Sequence, residues 1–473
     1  MPHCQPPRAL AGTLERLLRT LPADHLGELA TRAVQRARTE GLTYWHGGRE
    51  GVIPLLLRPI VAAPEQVSYL SYVSSLMLGA FKRLPDLYLA HDDVREVLPL
   101  APEEANWLHQ TWTPAHQRTH CVIGRLDAVI DFNRDDWRET LAFIEPNLVG
   151  AGGVSLIPAE DAIVLDMLSP LASGALSAVR LSTSCDFRRA FLRCLNDQLA
   201  AIGRRAGQIV FADAKYADEG PTEMETLRRC YAARRVRVAY IAPSELYCAR
   251  DEVWCSAGRV DMLYRDYALI DLIDIADEGG DPKAVQMLAQ RNQLVSSLAG
   301  DLDHKSTFEL FTDTRFDALF SSAERAAFRR HVPWTRLLTE RRTTAPNGAV
   351  IDLPEYALAH QAGLVIKPNR SYGGEGVHLG CETSTSDWCA AIERALAESG
   401  EWVVQQCVDI PAHTSPLARP SGEVLWGSFH VVLGLIPTPY GLGILGRASP
   451  ARVVNVAQGG GLCAVVVATP SSN

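Results

Sequence analysis

The sequence predicts a mixed α/β (α+β) fold, and three observations point to it. Apolar residues recur at helical spacing through the first 120 residues, which predicts an N-terminal helical region. At position 121 the pattern changes to alternating apolar and polar residues, as strands require. Between residues 206 and 300, strand-like and helix-like segments alternate. A chain of 473 residues should hold roughly two to four domains.

The composition is that of an ordinary globular protein, with 47% hydrophobic and 21% charged residues. The formal net charge of −9 argues against a general nucleic-acid or membrane-surface partner. No apolar run approaches the roughly 18 residues needed to span a bilayer, and the N-terminal stretch lacks the apolar core of a signal peptide. The eleven cysteines form no CxxC pair, so we expect reduced thiols and a cytoplasmic protein.

The N-terminal helical region is predicted over residues 1–120. Val67–Leu84 carries an amphipathic pattern, and Leu98–Trp112 carries another in which Pro102 is placed to begin a helix. The region ends in a group of potential metal ligands, namely His109, His116, His120 and Cys121. Neither an HExxH pattern nor paired-cysteine spacing accompanies them, so we favour a structural or surface role over a metal site.

Two predicted strands each carry a pair of polar side chains. In CVIGRLDAVIDF, Arg125 and Asp127 share one face because side chains repeat every two residues. In LAFIEPNLVGAGG, Glu145 and Asn147 share a face in the same way. Pro146 between them implies an edge strand or an irregular ladder. Carboxylate and amide oxygens suit Mg²⁺ rather than zinc. The alternative is a solvated strand face with a surface ion pair.

A small parallel α/β unit is predicted over residues 206–300. A helix follows the first of three apolar segments that predict strands, at 207–213, 236–242 and 258–267. Arg265 lies at the end of the third strand, where the ligands of such sheets tend to bind. It is a candidate anchor for a carboxylate substrate, and a structural salt bridge is the open alternative.

A glycine-rich loop between two short strands is predicted at Leu364–Gly380, LVIKPNRSYGGEGVHLG. Glycines at 373, 374 and 376 let the backbone approach a phosphate chain, and Lys367 supplies a positive charge beside it. The stretch contains no GxxxxGK[ST] motif and lacks the following helix of a dinucleotide fingerprint. An ordinary glycine hairpin is the alternative.

Further candidates lie outside these two motifs. Lys305 is near a helix start, where the helix macrodipole disfavours positive charge, which hints at another use. A strand leads directly into Gln405 and Gln406, as in a hinge that reads an adenine edge, although many solvated strand ends look alike. Near the C-terminus, Arg447 and Asn455 precede a triple glycine.

Together these motifs resemble an ATP-grasp ligase of the circularly permuted type. Glutathionylspermidine synthetase is similar in layout, as are glutathione-synthetase-like ATP-binding proteins. In ordinary ATP-grasp chains the Glu-x-Asn motif follows the nucleotide-binding lysines, whereas here Glu145 precedes Lys305 and Lys367. The resemblance covers roughly residues 121–467 and implies a circularly permuted ATP-grasp fold, whereas the N-terminal helical region (1–120) matches none of its motifs. The parts that follow this region are a segment with the metal-binding strands (121–205), a small α/β pre-ATP-grasp domain (206–300), an ATP-binding lid subdomain (301–408) and the C-terminal part of the core (409–473).

The resemblance also implies roles for the candidate residues. Arg125 would stabilise charge on the transferred phosphoryl group, and Arg447 and Asn455 would lie near the triphosphate or the acceptor. Mg²⁺ would be held by Asp127, Glu145 and Asn147. ATP would be contacted by Lys305, Lys367, Ser371, Gly373, Gly374, Gly376, Val377, Gln405, Gln406 and Val408.

The implied activity is that of an ATP-dependent carboxylate–amine ligase, which forms an amide bond through an acylphosphate and releases ADP and phosphate. Its partners would be ATP, Mg²⁺, a small-molecule or peptide carboxylate and an amine or, less often, a thiol or hydroxyl acceptor; a homodimer stays open. Two alternatives are a kinase or phosphotransferase on the same fold and a non-catalytic nucleotide-binding module. Neither substrate can be read from the sequence.

Overall fold

A computed structural model describes residues 7–46, 48–172, 176, 178–213, 220–271, 281–371, 373–454 and 460–471. Its α-helices are α1 Pro7–Thr20, α2 Ala23–Glu40, α3 Pro64–Lys82, α4 Leu84–Ala90, α5 Asp92–Val97, α6 Pro102–Thr111, α7 Pro114–Arg118, α8 Trp137–Thr140, α9 Leu156–Leu168, α10 Phe187–Ala201, α11 Glu223–Ala232, α12 Pro282–Gln290, α13 Thr307–Thr312, α14 Ser322–His331, α15 Leu353–Ala359 and α16 Thr385–Ala397. None of the helices in these ranges is both long and apolar enough to cross a bilayer.

The strands are β1 Thr43–His46, β2 Arg49–Val52, β3 Leu55–Leu56, β4 Ile60–Ala62, β5 Arg125–Val129, β6 Ala142–Asn147, β7 Val179–Ser182, β8 Ile209–Asp213, β9 Gly220–Pro221, β10 Val238–Ile241, β11 Tyr247–Ala249, β12 Glu252–Cys255, β13 Gly258–Arg259, β14 Met262–Asp266, β15 Leu294–Val295, β16 Thr335–Leu337, β17 Arg342–Thr344, β18 Val350–Asp352, β19 Leu364–Pro368, β20 His378–Leu379, β21 Trp402–Gln406, β22 Ala412–Ala418, β23 Val424–Thr438, β24 Gly441–Ser449, β25 Gly461–Leu462 and β26 Val465–Pro470. This mixture of helices and sheets is the predicted α/β class.

The largest sheet has seven strands in the order β22-β3-β25-β24-β23-β5-β6. β6 is its edge strand, and the ladder between β5 and β6 is irregular between Asp127 and Ala128. Pro146 lies in β6. Proline has no N–H to donate, and at an edge position no further strand requires that hydrogen bond. The prediction of an edge strand or an irregular ladder is therefore confirmed, and both features are present. The register pairs Arg125 with Asn147 across the two strands.

A second sheet is parallel throughout, in the order β10-β8-β14-β15. β8 is buried along its whole length, which is typical of strands in parallel sheets covered on both faces. The helix and the strands predicted at 207–213 and 236–242 are confirmed, whereas the strand predicted at 258–267 is divided into β13, which pairs with β12 in another sheet, and β14. β15 was not predicted, because two residues are too few to show a periodic pattern.

The first 120 residues are helical for most of their described length, but residues 43–62 form four short strands. β3 lies between β22 and β25 in the seven-stranded sheet, and β4 pairs in parallel with β26. The N-terminal region is thus joined by strand pairing to the C-terminal residues. The helical prediction missed these strands because each has only two to four residues.

A third unit, the lid unit, consists of the antiparallel sheet β16-β21-β19-β20 with helices α15 and α16. It has its own hydrophobic cluster, in which Ile366, Trp388 and Val404 are fully buried. The predicted strand–loop–strand at Leu364–Gly380 is confirmed, since β19 and β20 pair antiparallel around the glycine loop. A unit with a separate core can shift as a body relative to the rest of the chain.

Candidate functional site

The predicted polar residues converge on one cavity between the seven-stranded sheet and the lid unit. This central cavity has a volume of about 390 Å³. Strands β5, β6, β23 and β24 contribute to one wall, and β19, β20 and β21 contribute to the other. The predicted residues that line it are Arg125, Asp127, Glu145, Asn147, Lys367, Gly373, Gly374, Val377, Gln405, Gln406, Val408 and Arg447.

The carboxylate of Asp127 is the centre of a buried ionic network. Arg125 Nε lies 2.9 Å from Oδ1, and Arg447 Nη2 lies 2.5 Å from Oδ2. Asn147 Nδ2 donates to Oδ2 at 3.1 Å. Burial opposes the charged form, but the two arginines outweigh it and hold the pKa of Asp127 below its usual value. Gly434 makes room for this arrangement, because a Cβ there would lie 2.3 Å from Arg125 Cδ.

Two buried lysines lie beside the network, Lys367 on β19 of the lid unit and Lys305 just before α13. Lys367 Nζ donates to the carbonyl oxygen of Ile144 at 2.7 Å and to Gln405 Oε1 at 2.9 Å. Burial is the main cause that lowers the pKa of Lys367 to about 8; Glu145 opposes this shift, and Lys305 contributes to it. Lys305 Nζ lies 3.2 Å from Glu145 Oε1.

Charged side chains of both signs meet in this group. Four cationic side chains and two carboxylates come together in a largely water-excluded space, and two further buried carboxylates interact with them, Glu223 with Arg125 and Asp303 with Lys305. The cations are Arg125, Lys305, Lys367 and Arg447, and the carboxylates are Asp127 and Glu145. A polyanion with several oxygens can pair with the cations of this site, because desolvated charges interact strongly.

The base of the glycine loop is fixed to the body of the protein from several sides. Lys305 Nζ donates to the carbonyl oxygen of Ser371 at 2.6 Å. Asn369 is fully buried, and its carbonyl oxygen and Oδ1 accept from the backbone N–H groups of Lys305 and Ser306. Arg370 forms a bidentate pair with Glu104 of α6, at 2.7 and 2.5 Å. The sequence analysis missed Asn369 and Arg370, although both directly follow the Lys367-Pro368 signal.

The remaining cavity wall is mostly apolar and lies beside the exit of β21. Gln405, predicted to contact the nucleotide, is buried, and its amide nitrogen donates to Thr335 Oγ1 at 2.8 Å. Its Oε1 accepts from Lys367, so this amide positions the lysine, and both its nitrogen and its oxygen have hydrogen-bond partners within the protein. The apolar lining residues are Ala362, Val365, Leu379, Val408, Ile410, Val432, Val453 and Val454, joined by Cys381 and Cys407. Most of these residues have no local sequence signal, because they come from separate segments.

Arg265 does not line the central cavity within the described structure. Its side chain is fully buried and pairs with Asp301 through two contacts, at 3.0 and 2.5 Å. The other donors go to the carbonyl oxygens of Ser296, Ser297 and Tyr267, so all five guanidinium N–H groups are used. These contacts contradict the predicted role of Arg265 as a substrate anchor. They are those of a structural salt bridge, which was the alternative prediction.

Of the other predicted residues, Lys305 and Ser371 lie at the base of the glycine loop, as described above. Gly376 is in the loop at a φ of 70°, and a Cβ there would lie 2.9 Å from Pro368 Cγ. Asn455 lies outside the described residues.

The donor set suits a cation that arrives with a ligand. Across the described ranges, no group of three or more His, Cys, Asp or Glu side chains could hold a metal ion. Mg²⁺, however, is usually bound by one or two carboxylates together with substrate phosphates. Asp127, Glu145 and the amide of Asn147 match that chemistry, and adjacent strands hold them in register.

Comparisons with known proteins give a likeness of fold. No family model and no curated protein matches the chain. A solved structure, the apo form of a glutathione synthetase-like effector from Globodera pallida, is similar with a TM-score of 0.68. The two proteins are 12% identical, and the match covers 94% of this chain and 97% of that chain. The chain therefore has a glutathione synthetase-like fold over nearly its whole length.

Proposed function

We propose that the chain is an ATP-dependent carboxylate–amine ligase of the circularly permuted ATP-grasp type. The observation that carries the proposal is the convergence of Arg125, Lys367 and Arg447 with Asp127 and Glu145 in the central cavity, where Lys305 pairs with Glu145 at the base of a glycine loop. The glutathione synthetase-like fold supports it. The chain order supports the permutation, because Glu145 precedes both lysines.

Different parts of the central cavity suit the phosphates and the adenine of ATP. Lys305 and Lys367 would contact the phosphates, and the loop that contains Gly373 and Gly374 would cover them. The adenine would bind against the apolar wall beside Val408, and backbone groups just after β21 would form its polar contacts. Mg²⁺, held by Asp127, Glu145 and Asn147 together with phosphate oxygens, would neutralise phosphate charge when bound.

The reaction needs positioning and charge neutralisation rather than a protein nucleophile. An oxygen of the substrate carboxylate attacks the γ-phosphorus, the bond to ADP breaks, and an acylphosphate forms. The amine then attacks the acyl carbon, phosphate leaves, and the amine loses a proton as the amide forms. Arg125 and Arg447 lie beside the carboxylates and would stabilise the negative charge that develops on the transferred group.

Hydroxylamine trapping tests this proposal against its rivals. The purified protein is incubated with ATP, Mg²⁺ and a panel of carboxylates and amines, while ADP is measured and products are identified by mass. A ligase releases ADP with a condensed product and gives a hydroxamate when hydroxylamine replaces the amine. A kinase releases ADP without a hydroxamate. Measurable ATP binding without ADP release for any pair favours the non-catalytic module.

Nucleotide should shield two cysteines of the central cavity. Cys381 is exposed and Cys407 is partly buried, and both line the apolar wall. We expect a non-hydrolysable ATP analogue with Mg²⁺ to slow their alkylation by N-ethylmaleimide several-fold, measured by peptide mass spectrometry. Cys248 is exposed and lies outside the cavity lining, so it serves as the internal control. Equal rates with and without the analogue at Cys381 and Cys407 would place the nucleotide elsewhere.

Two neighbouring glycines offer a matched test of the loop. Gly373 and Gly374 have φ values of 78° and 77°, so alanine would suffer the same backbone strain at either position. An added Cβ on Gly374 would lie 2.7 Å from Val453 Cγ1, whereas on Gly373 it would meet no atom of the described chain within 4 Å. We expect Gly374→Ala to raise the KM for ATP about three- to tenfold more than Gly373→Ala does. Equal KM values would show that the loop does not close against Val453 during turnover.

A further inference from the structure

The N-terminal helical region contacts the start of the glycine loop through one ion pair. Glu104 lies in the first turn of α6, and Arg370 lies two residues after the end of β19. Arg370 Nη1 lies 2.7 Å from Glu104 Oε2, and Nη2 lies 2.5 Å from Oε1. Two parallel hydrogen bonds of this kind fix the direction of a guanidinium group as well as its distance. The pair therefore orients the loop start against a segment that is 266 residues away in the chain.

The α6 end of this pair is fixed in the body of the protein. The side chain of Glu104 is 3% exposed, and its Oε2 also accepts from the backbone N–H of Ala101 at 2.9 Å, which stabilises the first turn of the helix. Leu108, four residues later on the same face of α6, is buried in a hydrophobic cluster that contains no residue of the lid unit. The pair is thus a connection between the core of the body and a unit with its own core.

The loop end of the pair is continuous with groups of the central cavity. Asn369, directly before Arg370, is fully buried, and its carbonyl oxygen accepts from the N–H of Lys305 at 3.0 Å. Ser371, directly after it, accepts from the ammonium group of Lys305 at 2.6 Å. The same ammonium group lies 3.2 Å from Glu145 Oε1. A shift of Arg370 would therefore displace groups that position Lys305.

Arg370 itself is not a direct contact for a ligand of the central cavity. Both of its terminal nitrogens donate to Glu104, and the residue is absent from the cavity lining in the described part of the chain. Gly373 and Gly374, a few residues later, do line the cavity. The ion pair can therefore act on a bound molecule only through the position of the loop.

We propose that Glu104 is a positioning residue of the nucleotide site, which holds the start of the glycine loop in place through Arg370. The N-terminal helical region thereby determines where Gly373 and Gly374 lie over the phosphates. It also keeps the carbonyl oxygen of Ser371 against the ammonium group of Lys305. The role in nucleotide binding rests on the proposed function, whereas the anchoring of the loop does not.

Three variants test the pair, namely Glu104→Gln, Arg370→Met and the double variant. Glutamine can still accept from the N–H of Ala101, but its amide places a donor against a donor of Arg370. We expect each single variant to weaken the binding of a β,γ-methylene analogue of ATP with Mg²⁺ about tenfold in calorimetric titration. The double variant should also lose about tenfold rather than a hundredfold, because the two substitutions remove the same contact.

A matched control and turnover separate positioning from general effects. Glu103 is exposed in the same helical turn, so Glu103→Gln removes an equal charge and should leave the analogue affinity unchanged. In Glu104→Gln the KM for ATP should rise with the Kd of the analogue. Its kcat at saturating ATP should change less than about threefold, because neither member of the pair touches the reacting atoms. A pair that only stabilises the fold would lower the melting temperature without this rise in KM.

Hydrogen exchange without nucleotide tests the anchoring separately from the ligase assignment. Peptides that contain Ser371 and Gly373 should exchange several-fold faster in Glu104→Gln than in the unchanged chain, because the loop start loses its anchor. Peptides from β21 should exchange equally in both, since the core of the lid unit is not altered.

Melting curves show which of the three variants are folded, and any folded one serves for both measurements. Unchanged exchange of the loop overturns the proposal, whatever the nucleotide results are. Unchanged analogue affinity despite faster loop exchange, or an equal loss in Glu103→Gln, also overturns it, because Glu104 then has no specific role in the nucleotide site. If the unchanged chain does not bind the analogue, the proposed function fails, while faster loop exchange still supports the anchoring by Glu104.

Discussion

Replacing Lys367 with methionine should lower ATP-dependent turnover by about 10²–10³-fold, the usual effect of removing one preorganised charge contact in a reaction site. The side chain is buried and holds its ammonium group beside Glu145 and under the glycine loop. Methionine keeps the length and apolar stem of lysine but removes the charge. The fold should remain intact, because the lost hydrogen bonds to Ile144 and Gln405 are offset by the relief of a desolvated charge.

The pH dependence provides a second readout for the same residue. Lys367 carries its proton below about pH 8 and loses it above, so kcat/KM for ATP should fall as the pH rises through about 8. Lys367→Arg keeps the charge at all accessible pH values. Its profile should therefore lack this alkaline fall, even if its activity is reduced. Normal turnover of Lys367→Met, or an unchanged alkaline fall in Lys367→Arg, would contradict the assignment of Lys367 to the phosphates.

The part of the site that the sequence predicts best rests on short-range rules. Period-two spacing places Arg125 with Asp127 and Glu145 with Asn147, and the single proline in β6 predicts an edge position or an irregular ladder, of which the structure has both. The glycine loop is equally local. Such features depend only on residues within one or two neighbouring strands, so no knowledge of distant packing is required.

The features that the sequence does not predict depend on partners far along the chain. The amide of Gln405 is used by Lys367 and by Thr335, 38 and 70 residues away, so its availability to a ligand cannot be judged locally. The strands β3 and β4 form because C-terminal strands pair with them. Their own sequences are too short to show a periodic pattern. In these places tertiary contacts, not local propensity, decide the structure.

Arg265→Met should destabilise the protein by about 3–5 kcal/mol, the usual effect of breaking a buried ion pair from one side. Asp301 would keep a buried charge, with Leu269 N as its remaining donor at 2.8 Å. The loss should appear as a lower midpoint in chemical unfolding followed by fluorescence. If Arg265 held a substrate instead, the same change would raise the KM for that substrate and leave the unfolding midpoint unchanged.

The double variant Arg265→Met with Asp301→Asn distinguishes an unpaired charge from a general loss of packing. Asparagine accepts from Leu269 N but carries no charge, so the double variant should recover part of the stability lost in Arg265→Met. An additive, still lower midpoint would mean that Asp301 stabilises the fold through contacts other than this pair. Recovery would assign Arg265 to the junction of β14 with residues 296–301, which it holds together through Ser296, Ser297 and Asp301.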